Sequence, residues 1–199
     1  MARAGLTPDR VVHEAAIVAD EVGLERLTLA AVAERFGVAL PSLYKHVRGR
    51  EGLQRDLAVL GMRELTVALS RAAVGRSGAD ALRSIARAYR DFAHARPGLY
   101  AASVRAPSAD DAEHLEVSED ALDVVRAVLA GYHISGADAI DAIRALRAAL
   151  HGFVALEAQG GFGLPQSLDA SFTRLADAFD AAFSNWAAPA PTSNEESSK

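Results

Sequence analysis

The residues best suited to chemistry lie between Thr28 and Arg55, and the chemistry they suit is the binding of a polyanion. Helical spacing from Leu40 to Val47 turns Leu43 and Val47 inward and leaves Pro41, Ser42, Tyr44, Lys45 and His46 on the outer face and its flanks. All but the proline carry a group that can meet a phosphate or a base edge. Thr28 adds a hydroxyl at the start of the preceding helix, where unpaired backbone N–H groups also favour a phosphate. Lys45, Arg48, Arg50 and Arg55 crowd together against Glu51 and Asp56. The whole chain has 21 Lys+Arg against 26 Asp+Glu, a net charge of −5, which argues against a surface coated for nucleic acid. Up to Leu60 the charges balance, and the deficit falls in the remainder. That distribution fits a DNA contact confined to one small surface. Short helix–turn–helix patterns also occur in all-α proteins that never meet DNA. On these residues alone, a small-molecule-binding or interaction module without DNA reading stays open.

Other constellations point to less. His13, His94, His114, His133 and His151 are scattered, with no ligand spacing to another His or Glu on one helix face, so no metal site is expected. They read as surface or hydrogen-bonded histidines; His151, among Leu150, Phe153 and Val154, reads as a hydrogen-bonded core residue ahead of a ligand contact. Asp110, Asp111, Glu113, Glu116, Glu119 and Asp120 suit a solvated loop and a helix start better than a cation. No nucleophile elbow is present, and the GGFG at 160–163 lacks the lysine and the strand of a phosphate loop. Neither enzyme activity nor a cofactor is expected. Cysteine is absent, which excludes disulfides and thiolate metal sites. The opening MARAGLTPDR lacks the apolar segment of a secretory signal, and no run approaches the roughly 18 apolar residues of a membrane span. A cytoplasmic protein with no membrane partner is expected.

The elements that must position these residues read as all-α. Half of the 199 residues are apolar, and alanine is frequent. Gly and Pro fall at breaks, and no alternating strand pattern appears. Thr7-Pro8 opens a helix over 8–22 that Gly23 ends. Leu27-Thr28 opens the second, with Leu27 and Val32 spaced as a hydrophobic staple. Gly37-Val38-Ala39 is the turn, and the third helix spans Leu40 to Val47. A fourth runs from Arg50 into the low seventies, turning Leu53, Leu57 and Leu60 to one core and Met62, Leu65 and Leu69 to another. Further helices are expected over 80–95, 113–131, 136–158 and 169–185, with a short turn at 99–104, about nine in all. The Pro/Ser-rich 187–199 reads as a disordered tail.

The stretch LTLAAVAERFGVALPSLYKHVRGREGL (27–53) resembles the signature of the tetracycline-repressor (TetR) family of one-component transcription regulators. The likeness rests on Leu27-Thr28, Ala33, Gly37-Val38, Leu43-Tyr44, His46-Val47 and Arg50-Glu51-Gly52-Leu53. A second stretch, LHGFVALEAQGGFGLPQSLDASFTRL (150–175), resembles the C-terminal regulatory domain of a subgroup of that family, through its HGF and GGFGLP motifs. The resemblance implies an N-terminal three-helix DNA-binding domain over 1–50, a helical ligand-binding and dimerisation domain over 51–186 and a tail over 187–199. It implies a phosphate contact for Thr28, a major-groove face of Leu40, Pro41, Ser42 and Lys45, backbone bracing by Tyr44 and His46, and a phosphate approach by Arg50. Leu40 departs from members with a polar base reader and could meet only a thymine methyl; Gly49 lacks the usual capping side chain.

The resemblance further implies a pocket among helices 4 to 8. Its candidate lining is Met62, Leu65, Tyr89, Phe92, Tyr100, Leu122, Val125, Leu129, Leu150, His151, Phe153, Val154 and Phe162, although core packing alone explains such aromatic stripes more often than not. Helices 8 and 9 would form a homodimer face through Phe153, Leu156, Phe172, Leu175, Phe179 and Phe183, among small residues. The implied function is a ligand-responsive regulator, a repressor that binds an inverted-repeat operator in double-stranded DNA as a homodimer. An unidentified small-molecule effector would release it.

Overall fold

The computed structural model describes residues 6–186, and among them all regular structure is helical. The tail expected to be disordered lies outside the described residues. The order is α1 (Pro8–Val22), a 3-10 turn (Leu24–Arg26), α2 (Leu29–Phe36), α3 (Leu40–Leu43), α4 (Gly49–Ala73), α5 (Gly78–Ala95), α6 (Pro97–Ser103), α7 (Ala112–Ala130), α8 (Gly136–Ala158) and α9 (Leu168–Ser184).

Local chemistry sets the first turns. The Thr7 hydroxyl accepts from the Arg10 N–H at 3.3 Å and caps α1. The Thr28 hydroxyl accepts from the Ala31 N–H at 3.1 Å and caps α2. Gly37, at φ 63, ends α2 in the left-handed region, with its N–H on Glu34 and the Val38 N–H on Ala33. Val11, Ala15, Val18, Val32, Ala33, Leu43 and Val47 close a core under these helices.

The third helix is shorter than its sequence pattern predicts. It ends at Leu43, and the His46 and Val47 N–H groups both fall back on the Leu43 carbonyl at 2.8 and 3.1 Å. The tightening draws Val47 into the core, and Gly49, at φ 69, redirects the chain into α4.

α4 is the shared member. Its 25 residues span roughly 37 Å at ~1.5 Å per residue. It packs on α1 near its start and on α5, α6 and α7 along its length. Leu53 and Leu57 are fully enclosed at the first end, Leu65 and Leu69 at the other. Glycine permits two close crossings. A Cβ on Gly61 would stand 2.8 Å from the Leu99 carbonyl oxygen, and one on Gly98 would stand 2.2 Å from the Ala19 backbone. α6 therefore lies directly against both α1 and α4.

Candidate nucleic-acid interface and body cavity

α2, the turn and α3 present the predicted polar residues on one end of the molecule. Thr28, Pro41, Lys45, Arg48 and Arg50 are exposed, and Tyr44 is 57% exposed. Ser42, His46 and Leu40 are half-buried, and Leu40 packs on the core, which leaves only part of its side chain for a thymine methyl. Lys45 and Arg48 make no ion pair with any described residue. Arg50 reaches back to the Glu25 carbonyl at 3.2 Å, which holds the start of α4 against the 3-10 turn. Arg35 locks α2 to α1 through Glu14 and Glu21, both at 2.9 Å. The expected basic patch loses one member: Arg55 turns away from the reader. It makes a paired contact with Asp111, at 2.7 and 2.5 Å, and a further one with Glu113 at 2.7 Å. Its guanidinium holds both carboxyls below their usual range.

The reader is coupled to the rest of the chain at that contact and at one other. Asp20 on α1 accepts the Gly98 and Leu99 N–H groups at 2.9 and 3.0 Å, so it caps α6 from across the interface. Arg96 binds Asp20 at 2.6 Å and Glu64 of α4 at 2.5 Å. No motif marks these pairs, because their partners are far apart in the chain. Nor do the acids at 110–120 form a cation site: among the described residues no group of His, Cys, Asp or Glu could hold a metal. Asp111 caps α7, accepting the His114 N–H at 3.1 Å. His114 corrects the reading of the scattered histidines as surface or satisfied. It is 3% exposed and its Nε2 has no partner. Burial lowers its pKa, so it stays neutral.

A cavity of about 290 Å³ lies between α4, α5, α7, α8 and the loop after α6. Met62, Leu65, Tyr89, Leu122, Val125 and Leu150 of the predicted lining form walls. Leu69, Ile85, Ile143 and Leu146 also do, and Ser103, Arg105, Ser118 and Arg147 supply polar edges. Those four edge residues were not anticipated; the signal available was Arg147, placed beside the inward stripe Ile143–Leu146–Leu150. Phe92, Tyr100, Leu129, His151, Phe153, Val154 and Phe162 lie outside the walls. Leu129 and Val154 are ordinary core, and Phe92 is one turn beyond the last α5 contact, Tyr89. Tyr100 is one step removed: its hydroxyl shares hydrogen bonds with Tyr89 at 2.9 Å and with His151 Nδ1 at 2.6 Å. Burial pushes both phenols up. Phe153 packs at a tilt on Phe162 and edge-to-face on Phe172, at centroid distances of 4.8 and 5.1 Å, with Arg90 against Phe153 and Phe172.

The predicted dimer residues divide in the same way. Phe172 and Phe183 are 5% and 1% exposed, taken up within the chain's own core by Arg90, Phe153, Tyr132 and Trp186. Leu156 is 49% exposed, and Phe153, Leu175 and Phe179 are half-buried.

Comparison with known proteins agrees with this geometry. The family described as Tetracyclin repressor-like, C-terminal domain, matches residues 82–179. An uncharacterized HTH-type transcriptional regulator of Mycobacterium tuberculosis, Rv0681, is 37% identical over 158 residues, 79% of this chain and 72% of that protein. Another from Bacillus subtilis, YobS, is 37% identical over 162 residues, 80% of this chain and 83% of that protein. A Rhodococcus structure of unknown function superposes with TM-score 0.72 at 27% identity, covering 89% of this chain and 95% of that one. A TetR variant from Acinetobacter baumannii in complex with minocycline shares the fold, with TM-score 0.68 at 22% identity over 90% of this chain and 97% of that one. Among the described residues no helix is long and apolar enough to cross a membrane. A free cationic face on a capped helix–turn–helix, joined by α4 to a helical body with a cavity, is what these relatives lead one to expect: the chain belongs to the TetR family of HTH-type, ligand-responsive transcriptional regulators.

Proposed function

We propose that the chain acts as a homodimeric repressor whose two readers bind an inverted-repeat operator and are released by a small molecule in the 290 Å³ cavity. Residues 1–50 serve as the reader, and 51–186 bind the effector and the second protomer. Thr28 and Arg50 meet phosphates, Pro41, Ser42 and Lys45 face the major groove with the exposed edge of Leu40, and Tyr44 and His46 brace against the backbone. The observation that carries this reading is the set of solvent-facing cations in the turn after α3 and at the start of α4, left without carboxylates in an acidic chain. Leu156, Leu175 and Phe179, with the exposed alanines of α8 and α9, form the twofold face. The HGF and GGFGLP motifs mark a subgroup within the family.

Release follows from differential affinity, since a guest moves an equilibrium only by preferring one state. The cavity touches α4 through Met62, Leu65 and Leu69 and touches α7 from Leu115 to Val125. Both helices meet again at Arg55 and Asp111, next to the reader. A guest that reshapes the α4–α7 contact therefore changes the separation of two readers that must sit about 34–36 Å apart, or a multiple of that. The minocycline complex of the Acinetobacter relative gives a precedent for a small molecule on this fold.

Fluorescence anisotropy tests the reading, with labelled duplexes tiled across the DNA upstream of the gene. We expect binding at an inverted repeat, two protomers per site, that weakens steeply between 50 and 200 mM salt. Affinity that ignores salt, or that favours no duplex, would overturn it.

A further inference from the structure

The cavity's edges carry a chemical preference. Its walls are apolar, and its volume of about 290 Å³ stands at the lower end of the roughly 300–1,000 Å³ usual for small-molecule pockets, so the guest is compact. The uncharged donors around it are already committed. The Ser103 hydroxyl donates to the Tyr100 carbonyl at 2.8 Å, and the Ser118 hydroxyl donates to the His114 carbonyl at 2.7 Å. The Tyr89 hydroxyl is bonded to Tyr100. Glu119, the carboxylate in the lining, is held by Arg126.

What remains uncommitted is cationic. Arg147 of α8 donates at 3.2 Å to the carbonyl of Val104, the residue before Arg105 in the chain, and both arginines line the cavity. That hydrogen bond is its only one, and neither Arg147 nor Arg105 has a carboxylate partner among the described residues. Both arginines are exposed, which places them at the mouth of the cavity. Elsewhere in the body Arg55, Arg63, Arg83, Arg90, Arg96 and Arg126 are neutralised by Asp or Glu, and Arg71, Arg87 and Arg174, which have no carboxylate partner among the described residues, lie outside the cavity.

We propose that this cavity takes a monoanionic amphipath, a compact apolar body ending in one carboxylate, with the carboxylate on Arg147 and Arg105. This deepens the reading of the cavity as the effector site and rests on it. A neutral polyol would find no free uncharged donor, and a cation would meet two guanidinium groups. A planar carboxylate meets the fork geometry of arginine, while the apolar remainder leaves water for the leucine and isoleucine walls.

Calorimetric titration of the full-length protein with decanoate and with decan-1-ol, its uncharged analogue, provides the test. We expect decanoate to bind about tenfold more tightly than decan-1-ol, and Arg147→Gln to remove most of that margin while Arg147→Lys keeps part of it. Arg71→Gln, which removes an exposed cation of α4 outside the cavity, should change neither titration. Leu122→Trp should fill the cavity and abolish both. Equal binding of the two probes, unaffected by Arg147→Gln but lost in Leu122→Trp, would overturn the anionic preference and leave the cavity as the effector site. Absence of binding, or binding that survives a folded Leu122→Trp, would overturn both. Should Leu122→Trp not fold, the Gln and Lys variants of Arg147 still decide the preference.

Discussion

The reader and the body treat positive charge in opposite ways. On the reader, Lys45 and Arg48 point to solvent without a carboxylate, and Arg50 touches only a carbonyl. In the body most arginines are spent on structure. Arg90 alone binds Glu157 at 2.5 Å and Asp169 at 2.8 Å and covers two phenylalanine rings. An ion pair that pins two helices is already satisfied and attracts no polyanion. A solvated lysine costs the fold nothing and is available to an incoming phosphate. The contrast separates residues kept for a partner from residues kept for the fold, within one acidic chain. Five body arginines follow the reader's rule among the described residues, Arg71, Arg87, Arg105, Arg147 and Arg174, and of these Arg105 and Arg147 lie at the mouth of the cavity.

Lys45→Ala gives the largest expected effect on this comparison. Each half-site contact is worth about 1–3 kcal/mol, and a dimer loses two, so operator affinity should fall roughly 30-fold or more by anisotropy. The melting temperature should stay unchanged, since Lys45 is exposed and unpaired. Tyr44→Ala should act in the same direction to a lesser extent. A melting temperature that fell with intact operator affinity would place Lys45 among the structural cations and break the contrast.

Gly98→Ala comes next and probes the seam between the two regions. Its Cβ would stand 2.2 Å from the Ala19 backbone, a contact no rotamer relieves, so α6 must back away from α1. Overpacking of this kind costs about 1–3 kcal/mol, read as a lower denaturant midpoint. It should also loosen the Asp20 cap on α6. An unchanged midpoint would mean that the crossing is not tight.

The sequence carried the fold further than the site. Caps and periodicity are local, so Thr7, Thr28 and Gly37 located the helix ends to within a residue or so. The third helix ran four residues too long on paper because its apolar spacing continues to Val47. A helical repeat and a tightened turn place Leu43 and Val47 on the same side, and pattern alone does not separate them. The outward face of α3 and the turn after it is legible because inward Leu43 and Val47 fix its complement. The cavity was legible only in part: apolar helical stripes look alike whether they close on one another or around a void, so Phe92 and Leu129 were grouped with Tyr89 and Leu122. Phe172 and Phe183 misled for a related reason, since an apolar stripe does not say whether its partner is the same chain or a twin. Arg55 falls outside the basic patch that its position along the chain suggests, because its partner Asp111 is 56 residues away.

Arg55 provides the smallest expected effect and the one with a pH signature. Its hydrogen bonds hold Asp111 well below the usual carboxylate range and lower Glu113 as well. A carboxyl whose pKa is depressed on folding contributes stability that is fully present above its unfolded value, about 4, and is lost as pH falls toward the folded value. Arg55→Ala should therefore lower stability at neutral pH by about 1–2 kcal/mol, because a partly buried pair loses one member. The difference in melting temperature between the two proteins should hold steady from about pH 8 to 5 and narrow below about pH 4, as the carboxyls protonate in both. A difference that persists unchanged at pH 3 would assign the effect to packing of the arginine stem between α4 and α7. Narrowing on schedule makes the Arg55–Asp111 contact an electrostatic link between α4 and α7, held in place by carboxyls that stay ionised well into acid.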